Sequence, residues 1–145
     1  MIDFATLQGL TIPEGVVTQI TDASGRVIWK AAPSEATITL TFLQNTDAPQ
    51  PYVTKVTING VSYPSMIQGN PDMTTKEVVV PLGTVITCKT MHGDAGVGKI
   101  TLNGETVVDG AGEYEYTVVG NATIHSTGTM TSSTARHGII NITET

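Results

Sequence analysis

Thr, Val and Ile together supply 53 of the 145 residues, and this β-branched bias constrains the chain more than any other feature. Such side chains lose rotamer freedom in a helix and pack well on a pleated surface. Leu, the usual helix filler, occurs only 6 times. The bias is also patterned. From Ala36 to Leu43, Thr37, Thr39 and Thr41 alternate with Ile38, Leu40 and Phe42, the period of a strand with one apolar face. No stretch joins a 3.6-residue apolar period to helix caps. The expected fold is therefore all-β.

Composition excludes several classes of function. The net charge is −6 and no Lys/Arg cluster is present, so no electrostatic footprint for nucleic acid exists. No apolar run approaches the roughly 18 residues of a helical span, so no membrane insertion is expected. Met1-Ile2-Asp3-Phe4 lacks the basic-then-apolar order of a signal peptide. Cys88 stands alone, which rules out an internal disulfide or a Cys-based zinc site and fits a reducing compartment.

Residues 1–33 read differently from 34–145. The first stretch has a Pro13-Glu14-Gly15 turn signal, then two β-prone runs, Val16–Ile20 and Arg26–Trp29. Thr21-Asp22-Ala23-Ser24-Gly25 between them fits a hairpin loop, with Asp at its start and Gly at its end. Ala31-Ala32-Pro33-Ser34 reads as a linker. Two strands alone are marginal in water, so this arm must lie on something. Leu10, Ile12, Val16, Ile20, Val27, Ile28 and Trp29 are too many apolar groups for a free hairpin, and they form its expected docking interface.

The remainder reads as seven to nine short strands at the turn spacing of an Ig-like two-sheet β-sandwich. Asn59-Gly60 and Asn103-Gly104 are hairpin turns, since Asn-Gly accepts positive φ at both central positions. Asn45–Pro51 and Met66–Met73 read as loops, and the last strand runs from Gly138 to Thr143. Lys55-Val56-Thr57-Ile58-Asn59-Gly60 resembles Lys99-Ile100-Thr101-Leu102-Asn103-Gly104 at all six positions. The expectation is convergence on one turn chemistry rather than duplication.

Motifs for chemistry fail on context. Gly93-Asp94-Ala95-Gly96-Val97-Gly98-Lys99 satisfies the Gly-x4-Gly-Lys frame of a phosphate-binding loop. That loop needs a hydroxyl where Ile100 stands, and a helix where Ile100-Thr101-Leu102 alternates as a strand. It reads as a glycine loop between strands. His92, His125 and His137 lack the spacing of a shared metal site, and no cofactor is expected. Glu113 and Glu115 share one strand face and Tyr114 and Tyr116 the other, which reads as a solvated face opposite a buried one. Trp29, Tyr52, Tyr63, Tyr114 and Tyr116 are the available sugar platforms, with Trp29 reading better as an anchor. Ser126–Thr134 is a polar low-complexity stretch, read as a loop or weak edge strand. No acid/base or nucleophile constellation emerges, so the chain reads as no enzyme.

Leu10-Thr11-Ile12-Pro13-Glu14-Gly15-Val16-Val17-Thr18-Gln19-Ile20, followed by Asp22-Ala23-Ser24-Gly25-Arg26-Val27-Ile28-Trp29, resembles an N-terminal module of virion structural proteins in phages and prophages of gut Firmicutes. Pro81–Cys88, Ile100–Gly104 and Tyr116–Ile124 resemble the Ig-like module carried by the same proteins. The resemblance implies a structural or accessory virion component of tail, baseplate or head surface. Its partners would be other virion proteins and copies of itself, and its location the virion, after synthesis in the bacterial cytoplasm. The alternative is a module binding host-surface glycan or cell wall through Gln44–Pro51, Met66–Met73 and Ser126–Thr134.

Overall fold

The computed structural model describes residues 10–12, 15–47, 53–65, 68–91, 96–130 and 136–145, and every regular element among them is a β-strand. The chain divides into two compact units, Met1–Ser34 and Glu35–Thr145.

In the N-terminal unit, β1 (Leu10–Ile12) pairs antiparallel with β2 (Gly15–Val17), and β3 (Gln19–Thr21) with β4 (Val27–Lys30). The expected single run Val16–Ile20 is in fact divided between two sheets. The break falls at Thr18, whose carbonyl accepts a hydrogen bond from the Ala31 N–H at 2.8 Å. The β3–β4 turn closes as its sequence requires. Asp22 Oδ1 accepts from Ser24 N (2.9 Å), Ser24 Oγ (2.6 Å) and Arg26 N (3.0 Å), while Gly25 takes φ 83°. The Pro13-Glu14 part of the first turn lies outside the described residues.

The second unit contains ten strands in chain order. They are β5 (Glu35–Asp47), β6 (Thr54–Ile58), β7 (Val61–Ser65), β8 (Gln68–Pro81), β9 (Val85–Thr90), β10 (Val97–Leu102), β11 (Glu105–Asp109), β12 (Gly112–Thr117), β13 (Ala122–Met130) and β14 (Arg136–Glu144). A six-stranded sheet has the order β11-β10-β14-β13-β5-β8, and a four-stranded sheet the order β12-β9-β6-β7. Period-2 patterning supplies one core from both sheets. Ile38, Leu40, Ile100, Ile124, Ile140 and Ile142 come from the first, and Val56, Ile58, Ile86, Cys88 and Tyr116 from the second. Burying an aliphatic side chain of this size contributes about 1.5–3 kcal/mol. At one rim hydroxyls replace aliphatics. There Ser126 Oγ meets Thr54 Oγ1 at 2.7 Å, and Thr90 Oγ1 donates to the Gly138 carbonyl at 2.6 Å.

Both Asn-Gly turns form as expected, with Asn59 and Asn103 at φ 49° and 50° and Gly60 and Gly104 at 77° and 87°. Three expectations need correction. The segments read as loops at Asn45–Pro51 and Met66–Met73 extend β5 to Asp47 and start β8 at Gln68, paired in register Asp47↔Gln68. Pro71 does not stop this ladder because it lies on an edge strand, beside a register shift between Gln44 and Thr46. Residues 48–51 and 66–67, which complete those segments, lie outside the described residues. Likewise the polar stretch Ser126–Thr134, read as a loop or weak edge strand, continues β13 as far as Met130, and residues 131–134 lie outside the described residues. Beyond these corrections, β5 runs parallel to β13 and β10 parallel to β14, pairings between strands distant in the sequence.

The likeness of the Lys55 and Lys99 segments extends beyond their turns. The four-stranded sheet reads β12-β9-β6-β7, and the six-stranded sheet reads β8-β5-(β13-β14)-β10-β11 in the corresponding direction. Without the β13–β14 pair the two orders are the same under the exchange of β5–β8 with β9–β12. Each four-strand series leaves its sheet for an Asn-Gly hairpin in the other sheet and returns to pair with its own first strand.

Candidate docking surfaces

The second unit has two unlike ends. Tracing strand directions puts Glu35, Asn59-Gly60, Pro81–Thr84, Asn103-Gly104 and Val118–Asn121 at one end, all tight connections. The chain therefore comes in from residue 34 at the tight-turn end. At the opposite end β5 and β8 run on as a two-stranded ribbon past Leu43, the last β5 residue paired with β13. The β13–β14 ladder likewise continues there to Met130↔Arg136, one step beyond Val97↔His137, where the β10–β14 pairing begins.

The tight-turn end is held by backbone and side-chain bonds. Gly83 N donates to the Val118 carbonyl at 2.8 Å, and Val118 N to the Thr84 carbonyl at 2.9 Å. Asn121 Oδ1 accepts from Thr37 N at 2.9 Å, and its carbonyl accepts from Thr145 N at 2.9 Å. Asn103 Nδ2 donates to Glu144 Oε2 at 3.0 Å, and Tyr116 donates its hydroxyl to Glu144 Oε1 at 3.3 Å. Burial, reinforced by the Glu144 charge, raises the Tyr116 phenol above its ordinary range. Around these bonds Leu82, Val85 and Val119 remain exposed.

The seven apolar residues expected to form one docking stripe are distributed over two small sheets. Leu10 and Ile12 lie on β1 and Val16 on β2, while Ile20 lies on β3 and Val27, Ile28 and Trp29 lie on β4. The side chains of Leu10, Ile12 and Val16 are outside the described residues. Ile20 is half-buried opposite Trp29, which is buried, whereas Val27 and Ile28 are each 48% exposed. The anchor reading of Trp29 thus meets a side chain already covered in the chain itself. Asp22, in the turn below, is held under the usual carboxylate range, chiefly by the Ser24 hydroxyl and then by the Arg26 amide.

The remaining sequence candidates resolve residue by residue. Of the glycine-rich frame, residues 93–95 lie outside the described set, as does His92. Val97 opens β10, so a strand rather than a helix follows. Gly98 is a packing glycine: a Cβ there would run into the Gly110 carbonyl, whose own N–H donates to Gly98 O at 2.8 Å. Glu113 and Glu115 are exposed while Tyr114 is half-buried and Tyr116 buried, and Lys89 Nζ stands 3.8 Å from Glu113. Tyr52 lies outside the described residues, and none of Trp29, Tyr63, Tyr114 and Tyr116 is exposed. Among the described residues no cluster of His, Cys, Asp and Glu is arranged to hold a metal ion.

Sequence reasoning missed the sheet edges. In order, the sheets end at β11 and β8, and at β12 and β7. An edge strand carries unpaired N–H and C=O groups and is a template for another strand. The strand signal was available in Thr74, Thr75 and Val78–Val80, but an edge is defined only by the neighbour it lacks. No family model matches this chain, and no curated protein or solved structure shows significant similarity to it.

Proposed function

We propose that this chain is a non-enzymatic structural or accessory component of a phage virion, in tail, baseplate or head surface. It docks through its N-terminal unit and presents an Ig-like domain built from the six- and four-stranded sheets. The observation that carries the reading is the make-up of the first unit. Its described strands form two separate two-stranded sheets, with Val27 and Ile28 each 48% exposed. Two-stranded sheets are marginal in water by themselves, and exposed apolar groups on them favour an assembled setting. The resemblance of the Leu10–Ile20 and Asp22–Trp29 segments to virion modules supports the same reading. Its partners are other virion proteins and further copies of this chain, and its location is the virion.

Labelling intact particles with an antibody to residues 35–145 tests this directly. Label at a fixed site on the particle is expected; particles free of the chain overturn the proposal. Deletion of residues 1–33 should abolish incorporation and leave a soluble protein.

A second reading, a module for host-surface glycan or cell-wall polymer, draws on the ends of the second unit. The β5–β8 and β13–β14 ribbons project opposite the end that receives the chain from residue 34, where a presented tip would stand. Absence of any signal on a glycan array and in host-cell binding removes it.

A further inference from the structure

The two Asn-Gly turns share a backbone conformation but not a chemical environment. In an Asn-Gly pair a side-chain carboxamide is followed by the least hindered of backbone nitrogens, because Gly has no Cβ. Both pairs are exposed, and a Cβ on Gly60 or on Gly104 would meet nothing within 4 Å, so open space does not separate them.

Fastening does. Glu144 holds the Asn103 carboxamide at both ends, through Nδ2 at 3.0 Å and Oδ1 at 2.9 Å. The Asn103 N–H is tied as well, to the Ile142 carbonyl at 2.8 Å. The related pair Asp109-Gly110 is closed in another way, since its Gly nitrogen donates to the Gly98 carbonyl at 2.8 Å. Among the described residues no side-chain or turn hydrogen bond holds Asn59 or Gly60.

We infer that Asn59 is a self-modification site, converted through a cyclic imide to aspartate and isoaspartate, while Asn103 in the matching turn is protected. The Gly60 nitrogen attacks Asn59 Cγ, the new N–Cγ bond forms, and the Cγ–Nδ2 bond breaks. The Gly60 amide proton leaves with the amino group as ammonia. Water then opens the imide. Breaking its bond at Cγ gives aspartate, and breaking its bond at the main-chain carbonyl gives isoaspartate. The same attack at Asn103 must first free the carboxamide from Glu144. Either product adds a carboxylate to the tight-turn end of the second unit. Isoaspartate also adds a methylene to the backbone of a turn whose flanking register is Ile58↔Val61, so the pairing of β7 with β6 loosens. The site lies outside the N-terminal unit, and the inference goes beyond the docking reading without resting on it.

Incubation of the full chain in mildly alkaline buffer, followed by peptide mapping with mass spectrometry, tests it. The peptide that holds Asn59 should gain the mass of an amino group replaced by a hydroxyl, as two products that electron-transfer fragmentation resolves. Asn59 should convert about tenfold or more faster than Asn103, the factor that freeing the exchanged bonds requires. In guanidinium chloride the two should convert at similar rates, which reads both pairs without the fold. Glu144→Ala removes the acceptor of Asn103 Nδ2 at an exposed position and should speed Asn103 in the folded chain, with circular dichroism confirming the fold. A native chain in which Asn59 persists while the denatured chain converts overturns the inference. So does an Asn103 that keeps pace with Asn59 in the native chain, or a folded Glu144→Ala variant in which Asn103 reacts no faster.

Discussion

Asn103 and Glu144, 41 residues apart, exchange two hydrogen bonds: Asn103 Nδ2 donates to Glu144 Oε2 at 3.0 Å, and Glu144 N donates to Asn103 Oδ1 at 2.9 Å. The Asn that makes the β10–β11 turn thus also fastens the last strand, and its backbone N–H adds a bond to the Ile142 carbonyl at 2.8 Å. Its counterpart Asn59 has the same left-handed φ without such a partner among the described residues.

Asn103→Ala should therefore cost more than Asn59→Ala. Both lose a residue suited to φ near +50°, worth about 1–2 kcal/mol. Asn103→Ala also loses the exchanged bonds, about a further 1 kcal/mol given their exposure. Urea unfolding of the two variants measures the difference, and equal midpoints would show that the Glu144 contact is thermodynamically idle.

Glycines at points of close approach should be irreplaceable where others are not. A Cβ on Gly138 would meet Thr90 Oγ1 and lie 2.9 Å from the Val53 carbonyl and 3.0 Å from that of Met91. Gly138→Ala and Gly98→Ala should each destabilise by about 1–3 kcal/mol. Gly120 has open space around it and no positive φ, so Gly120→Ala should be neutral or slightly stabilising. Thermal unfolding of the three variants gives the ranking.

Cys88 is fully buried, and burial pushes its thiol up to about 12. In native protein at pH 8 it should resist thiol reagents until the sandwich opens, and labelling should follow the unfolding rate. The sign for stability is set by the raised value. In the unfolded chain the thiol ionises from about pH 8.5. Stability is thus fully present below that pH and falls towards pH 12 by about 1.4 kcal/mol per unit. Cys88→Ala should show a shallower alkaline decline in denaturant titrations, and parallel declines would contradict this.

Asp22 behaves in the opposite sense. Hydrogen bonds, the Ser24 hydroxyl first, hold its carboxyl below the ordinary range, so the turn's stabilisation is present above the unfolded value near 3.9. It is lost as pH falls through the lower folded value. An NMR titration should show the Ser24 and Arg26 amides shifting with Asp22 in acid, and Ser24→Ala should move that transition upward. A transition unchanged by Ser24→Ala would remove the hydroxyl as the main cause.

Local signals were the legible ones. The Thr37–Phe42 alternation set which side chains of β5 face the core, because strand period depends only on the backbone pleat. Asn59-Gly60, Asn103-Gly104 and the Asp22–Gly25 turn were legible because φ preference and side-chain acceptors act within four residues. Pro71 misled: it reads as part of a loop, yet it sits in a strand, since an edge leaves one side of the backbone unpaired.

What the amino-acid order determined by itself was the strand-forming character of the chain, its inward and outward faces and its tight turns. Each of these is decided between residues a few positions apart. Tertiary structure alone decided that β13 and β14 lie between β5 and β10, that Glu144 reaches Asn103, and that β8 is left at an edge. Backbone hydrogen bonds are the same for every strand and carry no address. Partner choice is therefore settled only when all the apolar faces close over one core together.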